Sequence, residues 1–188
     1  MKYWERYANW TVKALLVVLL LVGLVFPEAP QFQGKGWPAR VGFYPISAVL
    51  IPIMWLLAKP ARPYPHLADT FLVMPFLLDI AGNVANLFNT VDAVDDILHF
   101  LNWIFLAAAL VLVLAPLGLA RWNRIVMGAG AGALAIIFWE AVEYFIAESG
   151  ATALQLTYRD TIGDLVLSSA GGAVGAIVVT LLRVGEPS

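Results

Sequence analysis

The stretch Ile125-Val-Met-Gly128-Ala-Gly-Ala-Gly132-Ala-Leu-Ala-Ile136-Ile-Phe-Trp139-Glu140-Ala-Val-Glu143-Tyr144-Phe-Ile-Ala147 decides how the rest of the chain is read. It is apolar for long enough to cross a bilayer. That takes roughly 20 such residues, because a helix rises about 1.5 Å per residue through about 30 Å of hydrocarbon. Polar and apolar side chains do not alternate along it, so a membrane β-strand is excluded. A backbone with no water beside it must then close its own hydrogen bonds as a helix. Yet the stretch carries two carboxylates, Glu140 and Glu143, set between Phe138-Trp139 and Tyr144-Phe145. A charge deep in the bilayer costs at least ~2.5 kcal/mol, so such residues turn toward a bundle interior. One segment therefore predicts both a helix in lipid and a polar interior for it to face.

Outward from this segment, five more apolar runs follow the same pattern. They extend approximately from Asn9 to Phe26, Val41 to Leu57, Leu67 to Phe88, Ile97 to Leu119, and Thr161 to Leu182. The composition agrees: 61% of the 188 residues are hydrophobic and only 13% are charged, with a mean hydropathy of +0.83. Soluble domains carry about a quarter charged residues, so this chain cannot cover a water-facing surface. The expected fold is all-α, a polytopic transmembrane helical bundle of about six spans. It forms a single membrane-embedded domain over residues 1–188, with its motif-bearing part at about 79–177. The third span is the weakest, since it holds Asp69, Asp79, Asn83 and Asn86; a five-span chain with a re-entrant third segment is the alternative. The first span resembles a signal peptide, but Pro27-Glu28-Ala29 is a poor cleavage site, and the span is read as an uncleaved anchor.

With no cysteine in the chain, disulfides, thiolate metal sites and cysteine nucleophiles are excluded. A net charge of −2 gives no argument for nucleic acid. The positive charges predict orientation. With the N-terminus inside, Lys2, Arg6, Lys13, Lys59, Arg62, Arg121, Arg124 and Arg183 fall on cytoplasmic segments, against Lys35, Arg40 and Arg159 outside. Six spans then put both termini in the cytoplasm. The connection from Pro27 to Arg40 lies outside and reads as a tether or a lid. His66, in a proline-rich inner loop, reads as an ordinary solvated residue, and the inner halves of the spans read as nearly featureless.

The acids are not scattered. Asp79, Asp92, Asp95, Asp96, Glu140, Glu143, Glu148, Asp160 and Asp164 all fall at the outer end. Residues three or four apart share a helix face. On that rule Asp79, Asn83 and Asn86 share a face of the third span, Asp95 and His99 of the fourth, Glu140 and Glu143 of the fifth, and Asp160 and Asp164 of the sixth. Several carboxylates in one pocket cannot all ionise unless something positive joins them. His99 and Arg159 are the basic candidates and are too few, so either protons or a metal ion must balance the charge. Oxygen donors favour Mg²⁺, Ca²⁺ or Mn²⁺, and a histidine among them admits Zn²⁺. Asp95, His99, Glu140, Glu143, Asp160 and Asp164 are the expected ligands of a divalent metal ion. Asp79 and Glu140 are the expected catalytic groups, and Asn83, Asn86 and Arg159 the expected substrate-binding ones. The ordinary reading of Asp92, Asp95, Asp96, Asp160 and Asp164 is the helix N-terminus, where a carboxylate meets free N–H groups. Gly128-x-x-x-Gly132 and Gly171-x-x-x-Gly175 read as close packing within the chain or as a seam between copies. A Ser168–His99–Asp arrangement is a minor alternative.

Asp95-Asp96-Ile97-Leu98-His99-Phe100, Trp139-Glu140-Ala-Val-Glu143-Tyr144, Arg159-Asp160-Thr-Ile-Gly-Asp164 and Ser168-x-x-Gly171-x-x-x-Gly175 together resemble the small bacterial membrane proteins of the YjdF type. More distantly they are similar to VanZ-like proteins. The resemblance covers about half the chain, from Val91 to Ile177. The first two spans carry no motif. Asp96 departs from both families, which tend to have Lys or Arg there. Ser168 stands where VanZ-like proteins tend to have Asn, and Glu143 where they favour Gln. The resemblance implies a bacterial inner-membrane location and supports this choice of residues; it supplies no reaction. Three functions are expected to compete: a metal site that acts on or binds a lipid or lipid-linked envelope molecule, a proton-coupled transporter or cation pathway, and a non-catalytic membrane protein that binds lipid or a partner.

Overall fold

The structure, a computed structural model, describes residues 3–58, 60–150 and 157–183. Lys2 and Lys59, both used in the orientation argument, lie outside these residues, as does the side chain of Arg183. Among the described residues the chain is all-helical. In order it forms α1 (Tyr3–Val25), α2 (Trp37–Ala58), α3 (His66–Val84), the single turn α4 (Leu87–Thr90), α5 (Val94–Leu114), α6 (Arg121–Glu148) and α7 (Tyr158–Arg183). A 3₁₀ turn, Ala115–Leu117, extends α5. Six of these helices are long and apolar enough to cross a membrane. Six full spans replace the five-span alternative.

The helices alternate in direction, so each end of the bundle gathers every second helix terminus. One end holds the start of α1, the end of α2, and the starts of α3 and α6. The other holds the ends of α3 and α6 and the starts of α2, α5 and α7. The first carries Arg6, Lys13, Arg62 and Arg121, and the second carries most of the acids. They are called here the basic end and the acidic end.

Large apolar side chains point outward along the spans: Phe138 is 74% exposed and Leu57 79%. In water such a surface would drive aggregation; against lipid tails it is the solvated face. The interior is assembled in two halves. Leu16 and Leu20 of α1 meet Val73, Leu77 and Ile80 of α3. Ala107, Ala108 and Val111 of α5 meet Ala176 and Val179 of α7. Contacts of α3 with α5 join the halves.

The second half is unusually tight because its glycines replace side chains with backbone. A Cβ at Gly171 would stand 2.1 Å from the Phe100 carbonyl oxygen, and one at Gly175 would stand 2.2 Å from that of Ile104. Gly132 lies against Gly172, and Gly128 against Val111 and Ala176. The faces expected to offer a seam between copies are thus occupied within the chain. Close approach of α5, α6 and α7 is what brings polar groups from all three to one point.

Helix α3 is shorter than the sequence predicts. It ends at Val84, and Asn86 takes the left-handed conformation with φ 60°. Asn tolerates this region better than most residues, because its short polar side chain bonds locally. Here its Oδ1 accepts from Asn89 Nδ2 at 2.7 Å. The expected face of Asp79, Asn83 and Asn86 is therefore broken at Asn86, and α4 folds back so that Phe88 packs against Gly82.

Candidate metal centre at the acidic end

Helix α5 enters at the acidic end with Asp95 and places His99 one turn deeper. Asp95 is half exposed, while His99 is buried. Helix α7 brings Asp164, also buried, to the same point. His99 Nε2 lies 3.6 Å from Asp164 Oδ1 and 3.9 Å from Asp95 Oδ1. The other ring nitrogen, Nδ1, is 3.0 Å from Ser168 Oγ, which is fully buried one turn beyond Asp164 on α7. Ser168 thus fixes the ring and leaves Nε2 facing the acids. A hydrogen bond at one ring nitrogen sets which nitrogen is free to bind a cation. Buried and engaged in this way, Ser168 orients His99, and the Ser–His–Asp arrangement is one of support.

Helix α6 completes the cluster from the third side. Donor atoms of Asp95, His99 and Asp164 lie within 4.8 Å of one another, and so do those of His99, Glu140 and Glu143. His99 belongs to both groups. Four carboxylates from three helices therefore surround one imidazole. A cation held at 2.0–2.6 Å has ligands about 3–5 Å apart, so this spacing suits one or two ions. Glu140 Oε1 is buried and has no hydrogen-bond partner. A buried carboxylate oxygen without a donor is costly, and a bound cation or proton removes that cost.

The remaining expected residues fall elsewhere. Asp160 joins neither donor group. Its backbone N–H donates to Thr157 Oγ1 at 3.2 Å, so it sits in the capped first turn of α7, as the helix-terminus reading predicts. Arg159 is exposed and makes no ion pair among the described residues. Asn83 is buried and donates from Nδ2 to the Asp79 carbonyl at 2.9 Å, while its Oδ1 has no partner. Asp92, Asp96 and Glu148 are exposed at helix ends.

Asp79 is engaged by residues that the sequence reading passed over. Arg40 Nε donates to its Oδ2 at 2.8 Å and Arg40 Nη2 to its Oδ1 at 3.2 Å, and Tyr44 OH donates to Oδ2 at 2.8 Å. Both oxygens of this carboxylate are thus engaged by the guanidinium. In this arrangement Asp79, expected as a catalytic group, anchors Arg40 and Tyr44. The cation beside the acids is Arg40, from the motif-poor second span, and not Arg159. Its Nη1 also donates to the Lys35 carbonyl, which ties down the connection between α1 and α2. In that connection Phe32 is buried against Trp37, with ring centroids 4.5 Å apart. The connection is thus a packed cover over the acidic end. Lys35 extends from it over the Phe88 ring, 5.7 Å from the centroid. Burial pushes its ammonium below the usual lysine range, Arg40 adds to that, and Asp95 and Asp79 oppose it.

Two openings serve the cluster. A cavity of about 70 Å³ is lined by Asp79, Asp95, His99, Asn102 and Glu143, with room for a few waters or an ion and its hydration. Beside it an apolar groove of about 180 Å³ runs between α2 and α6, past Phe43, Trp139, Val142 and Ile146. Glu143 and Tyr44 line both.

Six apolar helices closed around a polar interior define a polytopic integral membrane protein. Over residues 7–185 the chain matches the family described as predicted membrane protein (DUF2238), and it belongs to that family. This is the YjdF-type family that the motifs resemble. No curated protein and no solved structure matches the chain.

Proposed function

We propose that this protein holds a divalent cation at the acidic end of its bundle and uses it on a lipid or lipid-linked envelope molecule in a bacterial inner membrane. The observation that carries this reading is the double donor group around His99, with the unpartnered Glu140 oxygen in it and an apolar groove beside it. Four carboxylates and one imidazole converge there, while the nearest guanidinium is committed to Asp79. Mg²⁺, Mn²⁺ or Ca²⁺ suits the oxygen donors, and the imidazole also admits Zn²⁺. A cation held by these residues would supply Lewis-acid chemistry toward an ester or phosphoester.

Glu143 is the group placed for the proton, because it faces both the cavity and the groove. In hydrolysis it takes a proton from the attacking water, the new bond forms at the ester carbon or phosphorus, and the same carboxyl returns the proton to the departing alcohol. The lipid tail occupies the groove between α2 and α6 while its polar head meets the acids.

The test is metal analysis of the purified protein in lipid nanodiscs, with Glu140→Gln and Asp164→Asn alongside. Bound divalent cation in the wild type and loss in both variants support the reading. A metal-free wild type after loading with Mg²⁺, Mn²⁺ and Zn²⁺ in turn contradicts it.

A cation or proton pathway is the second reading, favoured by the buried Lys13–Asp69 pair on the basic side. Against it, Val73 and Leu77, both buried on α3 between Asp69 and Asp79, pack with Leu16 of α1 as an apolar layer. Proton or ion flux in liposomes, abolished by Asp69→Asn, would favour the pathway instead.

A further inference from the structure

At the basic end, α1, α2 and the start of α3 enclose a second cavity, of about 340 Å³, which lies apart from the metal centre. Three polar atoms of its lining are buried without a hydrogen-bond partner: Asn9 Nδ2, Trp55 Nε1 and His66 Nδ1. The asparagine is only 2% exposed. An amide NH₂ and an indole N–H can only donate, and an imidazole nitrogen donates in one of its tautomers. The vacant hydrogen-bonding capacity of this cavity is therefore for an acceptor.

The charge points the same way. Lys13 and Asp69 are paired at 2.5 Å, and the Tyr64 hydroxyl donates to the same carboxylate at 2.5 Å. Burial and these contacts push the Tyr64 phenol well above its ordinary range, so it stays a donor. That group is neutral as a whole. Arg6, also in the lining, makes no ion pair among the described residues and puts a positive charge beside the three donors. A singly charged phosphate diester has the matching charge and several acceptor oxygens.

The depth fits a lipid. Tyr3, Trp4, Tyr7 and Trp10 are all more than half exposed around α1 at this level. Tyr and Trp gather where headgroups meet hydrocarbon.

We propose that this basic-end cavity binds the phosphate headgroup of an anionic phospholipid. Arg6 pairs with the phosphate, and Asn9, Trp55 and His66 donate to its oxygens. The test follows thermal unfolding of the full chain in detergent micelles on addition of phosphatidylglycerol, phosphatidylcholine or inorganic phosphate. A ligand that binds only the folded state raises the midpoint with concentration. Phosphatidylglycerol is expected to raise it saturably and phosphatidylcholine to leave it unmoved. Arg6→Gln, at an exposed site that the fold does not need, and Asn9→Leu are each expected to weaken the lipid by about tenfold, as loss of a hydrogen bond to a charged group does. An equal response to inorganic phosphate, lost in Arg6→Gln, supports the phosphate site with a soluble source. Equal responses to phosphatidylglycerol and phosphatidylcholine, or equal responses of wild type and Arg6→Gln to phosphatidylglycerol, overturn the proposal.

Discussion

Helix α3 carries a paired aspartate toward each end, fully buried Asp69 and partly buried Asp79, and the two are handled differently. Asp69, at the basic end, is fully buried, and one lysine and one tyrosine both meet its Oδ2 while its Oδ1 has no hydrogen-bond partner; no other acid joins that contact among the described residues. Asp79, at the acidic end, is held by one arginine and one tyrosine in much the same way. Next to it, however, stand Asp95, Glu140, Glu143 and Asp164, grouped around His99. At the first site one lysine balances one carboxylate. The second is left with negative charge in excess, beside an opening. Burying charge without a partner destabilises a fold, so an unbalanced cluster marks a place where something else belongs.

The largest effect should come from unbalancing the paired site at the basic end. Lys13→Met leaves Asp69 buried without its partner, which costs about 3–5 kcal/mol in comparable pairs. Thermal unfolding in detergent should show that loss, and the double change Lys13→Met with Asp69→Leu should recover most of it. At the acidic end the sign differs. Glu143→Gln removes one of several competing charges and is expected to cost no stability when divalent cations are absent. If Glu143→Gln destabilises as strongly as Lys13→Met, the contrast between the two ends is lost.

A smaller effect belongs to the packing that assembles the acidic end. Gly175→Ala forces α5 and α7 apart, because the new methyl meets the Ile104 carbonyl. Overpacking of this kind costs about 1–3 kcal/mol. It also shifts His99 relative to Asp164, so cation binding should weaken along with stability. Unchanged unfolding and unchanged cation affinity would show that the helices have room that the backbone distances deny.

Smallest in energy, and most local, is Ser168→Ala. It frees His99 Nδ1 and lets the ring turn. Loss of such an orienting bond weakens a metal by about tenfold or more. Titration calorimetry with Mn²⁺ should show this with little change in folding, whereas Asp160→Asn, in the capped first turn of α7, should leave the affinity alone.

Much of this was legible in the sequence, for identifiable reasons. Six spans follow from apolar length, which the bilayer enforces directly. Asp95 with His99, and Glu140 with Glu143, could be paired from helical spacing, because each pair lies on one helix. Asn86 was misplaced because a helix end set by one left-handed residue leaves no trace in the hydropathy. Arg40 and Tyr44 were missed because they meet Asp79 across 39 and 35 residues of chain, from a helix without a motif. Lys13 and Asp69 were missed in the same way, at a separation of 56. That pair, with buried Asn9 and Arg124, also corrects the expectation of nearly featureless inner halves. His66, expected in solvent, is half-buried beside Tyr64, with ring centroids 4.7 Å apart. Spacing along one helix reports which residues share a face; it carries no information about which helix that face will meet.

The central claim is that acids from α5, α6 and α7 meet around the single imidazole of His99 to hold a cation. Electron spin-echo spectroscopy of the Mn²⁺-loaded protein in nanodiscs tests it most directly, because a coordinated imidazole modulates the manganese signal through its nitrogen. The account predicts one saturable site per chain with coupling to a single histidine nitrogen, lost in His99→Gln and kept in His66→Gln. Manganese that binds without nitrogen coupling, or coupling that survives His99→Gln, would contradict it.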